Sequence, residues 1–310
     1  MATATKTGRI AATERGSLFG ARMREAGWGY GFVLLPMAVF GLFFIYPLAY
    51  GIYISFFDWG IFGKVHGVGT ANYHTLFHDP IFRRSVRNII EATVVVVPLE
   101  MALGLLIALV INAKIRGRTF FRSAFYFPSL VSSAAITAIA IYILNADGLF
   151  NATIGGHFYN GHHSWFGEPD TALWSIVGLN AWTTAGTVML FYLAALQAIP
   201  TDVYEAAALD GTSTWRTFWR ITFPLLKPAH FFVLVVFGVG ALKLFDQSFI
   251  VSGGSGGPVY STYTPVLYIY NTAFKSFQFG LAASAGVVMF VAIFLLTLIQ
   301  RATVGRSEIG

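Results

Sequence analysis

The densest chemistry in this sequence lies in one polar run, Pro200-Thr-Asp-Val-Tyr-Glu205-Ala-Ala-Ala-Leu-Asp210-Gly211, which continues through Trp215 to Ile221-Thr-Phe-Pro224. Pro200 ends the apolar stretch before it, and Thr201 or Asp202 is placed to cap a new short helix. Asp202 followed by Glu205 resembles a capping box. The small alanines would let another surface approach closely, and Gly211 suits the left-handed residue that ends a helix. A second helix, predicted at about 213–221, presents Trp215, Phe218 and Trp219 before Pro224 stops it. These residue types break no bonds; they make a helix–turn–helix unit apolar enough to want a partner. Two partners fit the local physics: another protein, or the headgroup layer of a bilayer.

Catalytic and nucleotide motifs are missing. No G-x-x-x-x-G-K-[ST] phosphate loop occurs; Gly60-Ile-Phe-Gly63-Lys64 has the wrong spacing. Neither a zincin helix nor a G-x-S-x-G elbow is present, and without cysteine there is no disulfide framework or thiolate metal site. His162-His163 is better read as solvated than as a metal pair. The remaining polar candidates lie inside apolar stretches, where ionisable groups are expensive and functional by default. Lys243 and Asp246, three apart, could share a helix face as an ion pair or could contact a solute. Glu91 is expected to reach water near an outer end, and Glu100 to bond a neighbouring helix. Asn180, Trp182, Tyr192 and Gln247 supply the neutral donors and stacking rings that a hydroxyl-rich solute favours.

The elements that would position these residues are membrane spans. Of 310 residues, 56% are apolar and 11% charged, where a soluble domain carries roughly 25% charged residues. Stretches at about 29–57, 88–112, 121–144, 172–198, 229–251 and 278–300 each approach the roughly 20 residues that cross a bilayer. With the N-terminus inside, the inner segments hold 14 Lys and Arg and the outer loops 5, with Lys243 inside a span. That asymmetry sets both termini in the cytoplasm. The formal charge of +6 therefore orients helices and touches anionic lipid; it does not mark a nucleic-acid surface. Residues 1–28 are expected to be a cytoplasmic tail and not a cleavable signal peptide. Residues 29–300 form a six-helix domain with a cytoplasmic loop at 201–224, and 301–310 close the chain on the same side.

Glu205-Ala206-Ala207, Gly211 four residues later, then Ile221 and Pro224 resemble the E-A-A–x3–G–x9–I–x–L–P signature of bacterial ABC-importer permeases, with Phe223 where the pattern usually has Leu. Shorter segments point the same way. Asn72-Tyr73 through Asp79-Pro80 to Phe82, Ser85 and Asn88, and Phe245-Asp246 with Gly253-Gly254, are similar to the maltose and glycerol-3-phosphate type. The resemblance implies an all-α, multi-pass permease subunit of the type I importer fold in the bacterial inner membrane, moving a sugar or sugar-like solute by alternating access. It implies that Glu205, Ala206, Ala207, Asp210 and Gly211 contact a cytoplasmic ATPase. No cofactor is expected on this chain, ATP and Mg being used by two ATPase subunits. A second permease, pointing to a heterodimer, and an extracytoplasmic solute-binding protein complete the expected assembly. The Gly-rich 252–277 segment is expected at an outer gate or receptor surface. The rival readings are an ion- or proton-coupled secondary transporter and a membrane enzyme whose outer histidines hold a metal.

Overall fold

The computed structural model describes residues 29–113, 116–154, 157 and 162–303; the predicted tail at 1–28, Lys114 between spans, and 304–310 of the predicted tail 301–310 lie outside the described residues, while 301–303 continue the last helix. Two compact units divide at Ile54 and Ser55. The first contains helix α1, Gly29–Ile54, long and apolar enough to cross a bilayer. Pro36 and Pro47 interrupt its donor ladder, and a π turn at Gly41–Ile45 precedes Pro47.

The second unit opens with a short antiparallel hairpin, β1 (Phe57–Gly60) and β2 (Gly63–Gly67), in an otherwise helical chain, as the all-α expectation has it. The run Trp59-Gly60-Ile61-Phe62-Gly63 brackets a two-residue turn with glycines, and Gly63 has φ +88°, so the chain reverses where a helix was expected to continue to residue 57. Short α2 (Ala71–His78) follows, then α3 (Pro80–Asn112). Helix α3 starts eight residues before the predicted span because Asp79 caps it: Oδ1 accepts from Ile81 N at 2.7 Å and Phe82 N at 3.4 Å.

The predicted third span is two helices, α4 (Arg118–Leu130) and α5 (Ser133–Ile143), bent by 96°. Pro128 removes a donor from the last turn of α4, and Val131 is extended. Short α6 (Leu149–Thr153) leads to α7 (Pro169–Ala198). The loop helices α8 (Thr201–Leu209) and α9 (Thr214–Thr217, continuing through a π turn at Phe218–Thr222 and a last turn at Phe223–Leu225) come next. The fifth span is α10 (Lys227–Leu242) and α11 (Asp246–Ser252), broken at Lys243–Phe245. Outer helix α12 (Pro265–Tyr270) precedes the last span, α13 (Phe279–Thr303). Five helices, counting α10 with α11, and one bent pair thus have the length and composition of spans.

Helices α3 and α7 run parallel through the core. Ala92, Val96 and Val97 meet Leu173, Val177 and Ala181 at one level, and Leu105 and Ala108 meet Val188, Met189 and Leu193 at another. Gly104 makes this approach possible: a Cβ there would collide with the Val188 side chain. In lipid the hydrophobic effect contributes little between helices, so small residues that permit close backbone contact do the packing.

Candidate functional site

The 201–225 segment folds as the helix–turn–helix unit that the sequence suggests, with different details. The N-cap of α8 is Pro200, which has no capping side chain. The expected Thr201 or Asp202 cap and the Asp202–Glu205 box are absent, because Thr201 is already the first helical residue. Asp202 and Glu205 are left exposed. The C-terminus is a complete Schellman closure: Gly211 N donates to Ala208 O at 3.1 Å and Thr212 N to Ala207 O at 3.1 Å, with Gly211 at φ +67°. Thr212 Oγ1 donates to Ala207 O at 2.7 Å and meets Thr217 Oγ1 at 2.9 Å. Ser213 caps α9 through Arg216 N at 3.4 Å.

Pro224 does not stop α9. The π turn absorbs it, Phe223 N bonding to Phe218 O five residues back, so the helix runs on to Leu225. Thr222 Oγ1 donates to Tyr204 OH at 3.3 Å and ties the two arms together.

Of the five residues assigned to a partner contact, Glu205, Ala206, Asp210 and Gly211 are exposed. Ala207 is buried and is a spacer: it packs the helix down and offers its carbonyl to Thr212. Leu209, not among those five, is 91% exposed beside them. It stands four after Glu205, on the same helix face. Between the unit and the spans lies a space of about 870 Å³ lined by Leu109, Asn112, Tyr204, Thr212, Trp215 and Phe218, among others.

One buried polar link joins this unit to the core. Tyr192 OH and His230 Nδ1 are 2.8 Å apart within an otherwise apolar cluster. The His230 ring lies 4.5 Å from that of Phe223 in α9. Tyr192, expected on the solute pathway, is instead completely buried near the end of α7 and lies apart from the cavity that Asn180 and Gln247 line.

The other predicted pathway residues separate. Asn180 and Gln247 line one small cavity of about 210 Å³ with Ser129, Ser133, Thr183 and Thr184. This polar space sits at the α4–α5 bend, which Ser129 Oγ fixes by donating to Thr183 O at 2.7 Å. Buried Glu100 faces Thr184 from α3, as expected of a residue bonded to a neighbour. Trp182 does not line the cavity and is 56% exposed. Lys243 and Asp246 share no helix face, because the chain breaks between them. Both are exposed and, among the described residues, form no ion pair. Glu91 is paired with Arg87, Nε to Oε1 at 2.7 Å.

At the opposite end, a clasp holds residues 254–278. Asn88 Nδ2 donates to Tyr260 O at 2.8 Å and Tyr263 O at 3.0 Å. Tyr268 OH donates to Asp79 Oδ2 at 2.6 Å; burial first, then that carboxylate, raises the Tyr268 phenol above the usual tyrosine range. Asn271 Nδ2 donates to Gly254 O at 2.9 Å and Tyr263 OH at 2.6 Å. Val259 and Tyr260 are held at φ +52° and +56°, conformations that L-residues adopt only when their surroundings impose them. His162 and His163 turn to different partners, Asp147 Oδ1 at 3.2 Å and Thr171 Oγ1 at 2.9 Å. Among the described residues no cluster suited to a metal is present.

The profile of the family described as "binding-protein-dependent transport system inner membrane component" matches residues 100–307. The chain belongs to this family. It is 33% identical over 276 residues to the multiple sugar-binding transport system permease protein MsmF of Streptococcus mutans, covering 88% of this chain and 93% of that one. It is 33% identical over 270 residues to the lactose transport system permease protein LacF of Rhizobium radiobacter, covering 86% and 90%. With the sn-glycerol-3-phosphate transport system permease protein UgpA of Brucella abortus it shares 34% over 278 residues, covering 87% and 92%. A solved chain of a bacterial alginate ABC transporter, in complex with alginate pentasaccharide-bound periplasmic protein, superposes with a TM-score of 0.80 at 22% identity, covering 93% of this chain and 98% of that one. The chain is thus a multi-pass inner-membrane permease subunit of an ABC importer, a transport component and not an enzyme.

Proposed function

We propose that this permease moves a sugar or sugar-like solute by alternating access, with α8, Gly211 and α9 as the lever gripped by a cytoplasmic ATPase. The observation that carries this reading is the exposed face of α8, Glu205, Ala206 and Leu209, held on a Schellman turn and linked through Phe223, His230 and Tyr192 to the core. The chain lacks a phosphate loop, so ATP and Mg are used by separate ATPase subunits. A partner that binds both conformations equally shifts nothing; the ATPase must grip the lever differently in its open and closed states.

The Lys and Arg asymmetry supports a lever and both tails inside the cell. Residues 29–300 then constitute the transport domain, with tails at 1–28 and 301–310. Asn180 and Gln247, with the hydroxyls around the α4–α5 bend, form the solute pathway; Trp182, Lys243 and Asp246, exposed on this chain, face the pathway or the second permease. The relatives' names favour a saccharide or glycerol phosphate. A second permease, a homologue in a heterodimer, supplies the other half, and a solute-binding protein docks against the clasped 252–277 segment. The assembly reconstituted with candidate receptors should take up labelled saccharide only with ATP and receptor present. Uptake driven by an ion gradient without ATP would establish the secondary-transporter reading instead.

A further inference from the structure

One strongly apolar cavity plays no part in solute transport or in the lever. It is a slot of about 490 Å³ between α3 and α13, walled by Phe82, Val86, Ile90, Met289, Ile293 and Leu296, among others. Along either helix the lining residues span eight positions, roughly 12 Å at 1.5 Å per residue. Almost everything lining it is hydrocarbon. The exception is Arg83.

The Arg83 guanidinium is held and left unmatched. Its Nε donates to Phe77 O at 2.6 Å, which leaves the two terminal nitrogens to be satisfied elsewhere. The neighbouring carboxylates are engaged. Asp79 caps α3 through Oδ1 and accepts the Tyr268 hydroxyl on Oδ2, and Glu91 pairs with Arg87. Among the described residues no carboxylate lies within 4.0 Å of Arg83. A planar, permanently charged fork at the end of an alkyl-lined slot is complementary to an amphiphile carrying phosphate on a hydrocarbon chain. An apolar protein helix inserted there would desolvate the guanidinium without offering it an anion.

We propose that this slot is a specific binding site for an anionic phospholipid, with an acyl chain between α3 and α13 and the phosphate on Arg83. The test uses the full-length chain, extracted from membranes in mild detergent and titrated with phosphatidylglycerol under native mass spectrometry. Wild type should retain one lipid at concentrations where Arg83→Gln loses about tenfold in occupancy, the loss of one charge-assisted contact. Ala292→Trp, which fills the slot, should lose it too. Arg84→Gln removes the same charge from a neighbour that, like Arg83, is exposed but does not line the slot, and should bind like wild type. Equal occupancy in Arg83→Gln, or equal retention of phosphatidylethanolamine, would overturn the proposal. So would a cysteine at Met289 that crosslinks to another membrane span in native membranes, because a protein helix would then occupy the slot.

Discussion

The Tyr192–His230 pair shows what a single residue contributes here. An unpaired polar atom costs most where no water can replace its partner. Tyr192→Phe strips the Nδ1 of His230 of its hydrogen bond in an apolar cluster, so stability should fall by about 1–3 kcal/mol. A thermal melt of the purified chain measures this. If the pair also transmits the lever's movement, ATP hydrolysed per solute transported should rise, and an unchanged ratio would confine the pair to a packing role. Tyr192 was not legible as a core residue in the sequence, because tyrosine has an apolar body and a polar tip and suits a pathway equally well. Only the arrival of His230, 38 positions later, decides between them. The reverse holds for Gly211: the demand for a left-handed residue after Leu209 and Asp210 is local, and local demands can be read directly.

At the scale of elements, the same distinction separates what could be foreseen. The spans were legible because bilayer thickness imposes a length on apolar runs. Their interruptions were less so. Pro128 and Lys243–Phe245 mark real breaks, whereas Pro224 is absorbed by a π turn and Pro98 lies inside continuous α3. A proline removes a donor wherever it stands; whether the helix ends depends on what satisfies the freed carbonyl. The clasp was invisible for another reason. Asn72, Asp79 and Asn88 matched a family pattern, yet their bonds run to Ser55, Phe57, Tyr260, Tyr263 and Tyr268, far away in the chain.

Two predictions belong at this scale. Gly104→Leu forces a side chain into Val188 and should lower stability by about 1–3 kcal/mol, seen as a lower melting temperature; an unchanged melt would mean that α3 and α7 can separate without cost. Asn88→Ala releases the carbonyls of Tyr260 and Tyr263 and with them the strained backbone at Val259. Proteolysis within 254–264 should accelerate, while cleavage at 201–225 should not. Equal rates at both sites would show that Asn88 does not hold the clasp.

For the molecule as a whole, the account requires two opposite faces, a clasped outer one and an inner lever. The lack of native cysteine makes this readily measurable. Phe62→Cys at the fully exposed tip of the hairpin should react with a membrane-impermeant maleimide on intact cells, and Leu209→Cys only after permeabilisation. The lever itself is tested most directly by its grip on the ATPase. Gly211→Pro cannot adopt φ +67°, since proline is fixed near −65°, and Glu205→Lys reverses the charge on the exposed face of α8. Glu205→Lys should insert and melt within about 1 kcal/mol of wild type. Gly211→Pro, which also loses the Gly211 N–H bond to Ala208 O, should insert but melt lower by more than about 1 kcal/mol. Both should lose the ATPase subunit on affinity purification. Full retention of that subunit by both, with uptake intact, would contradict the account.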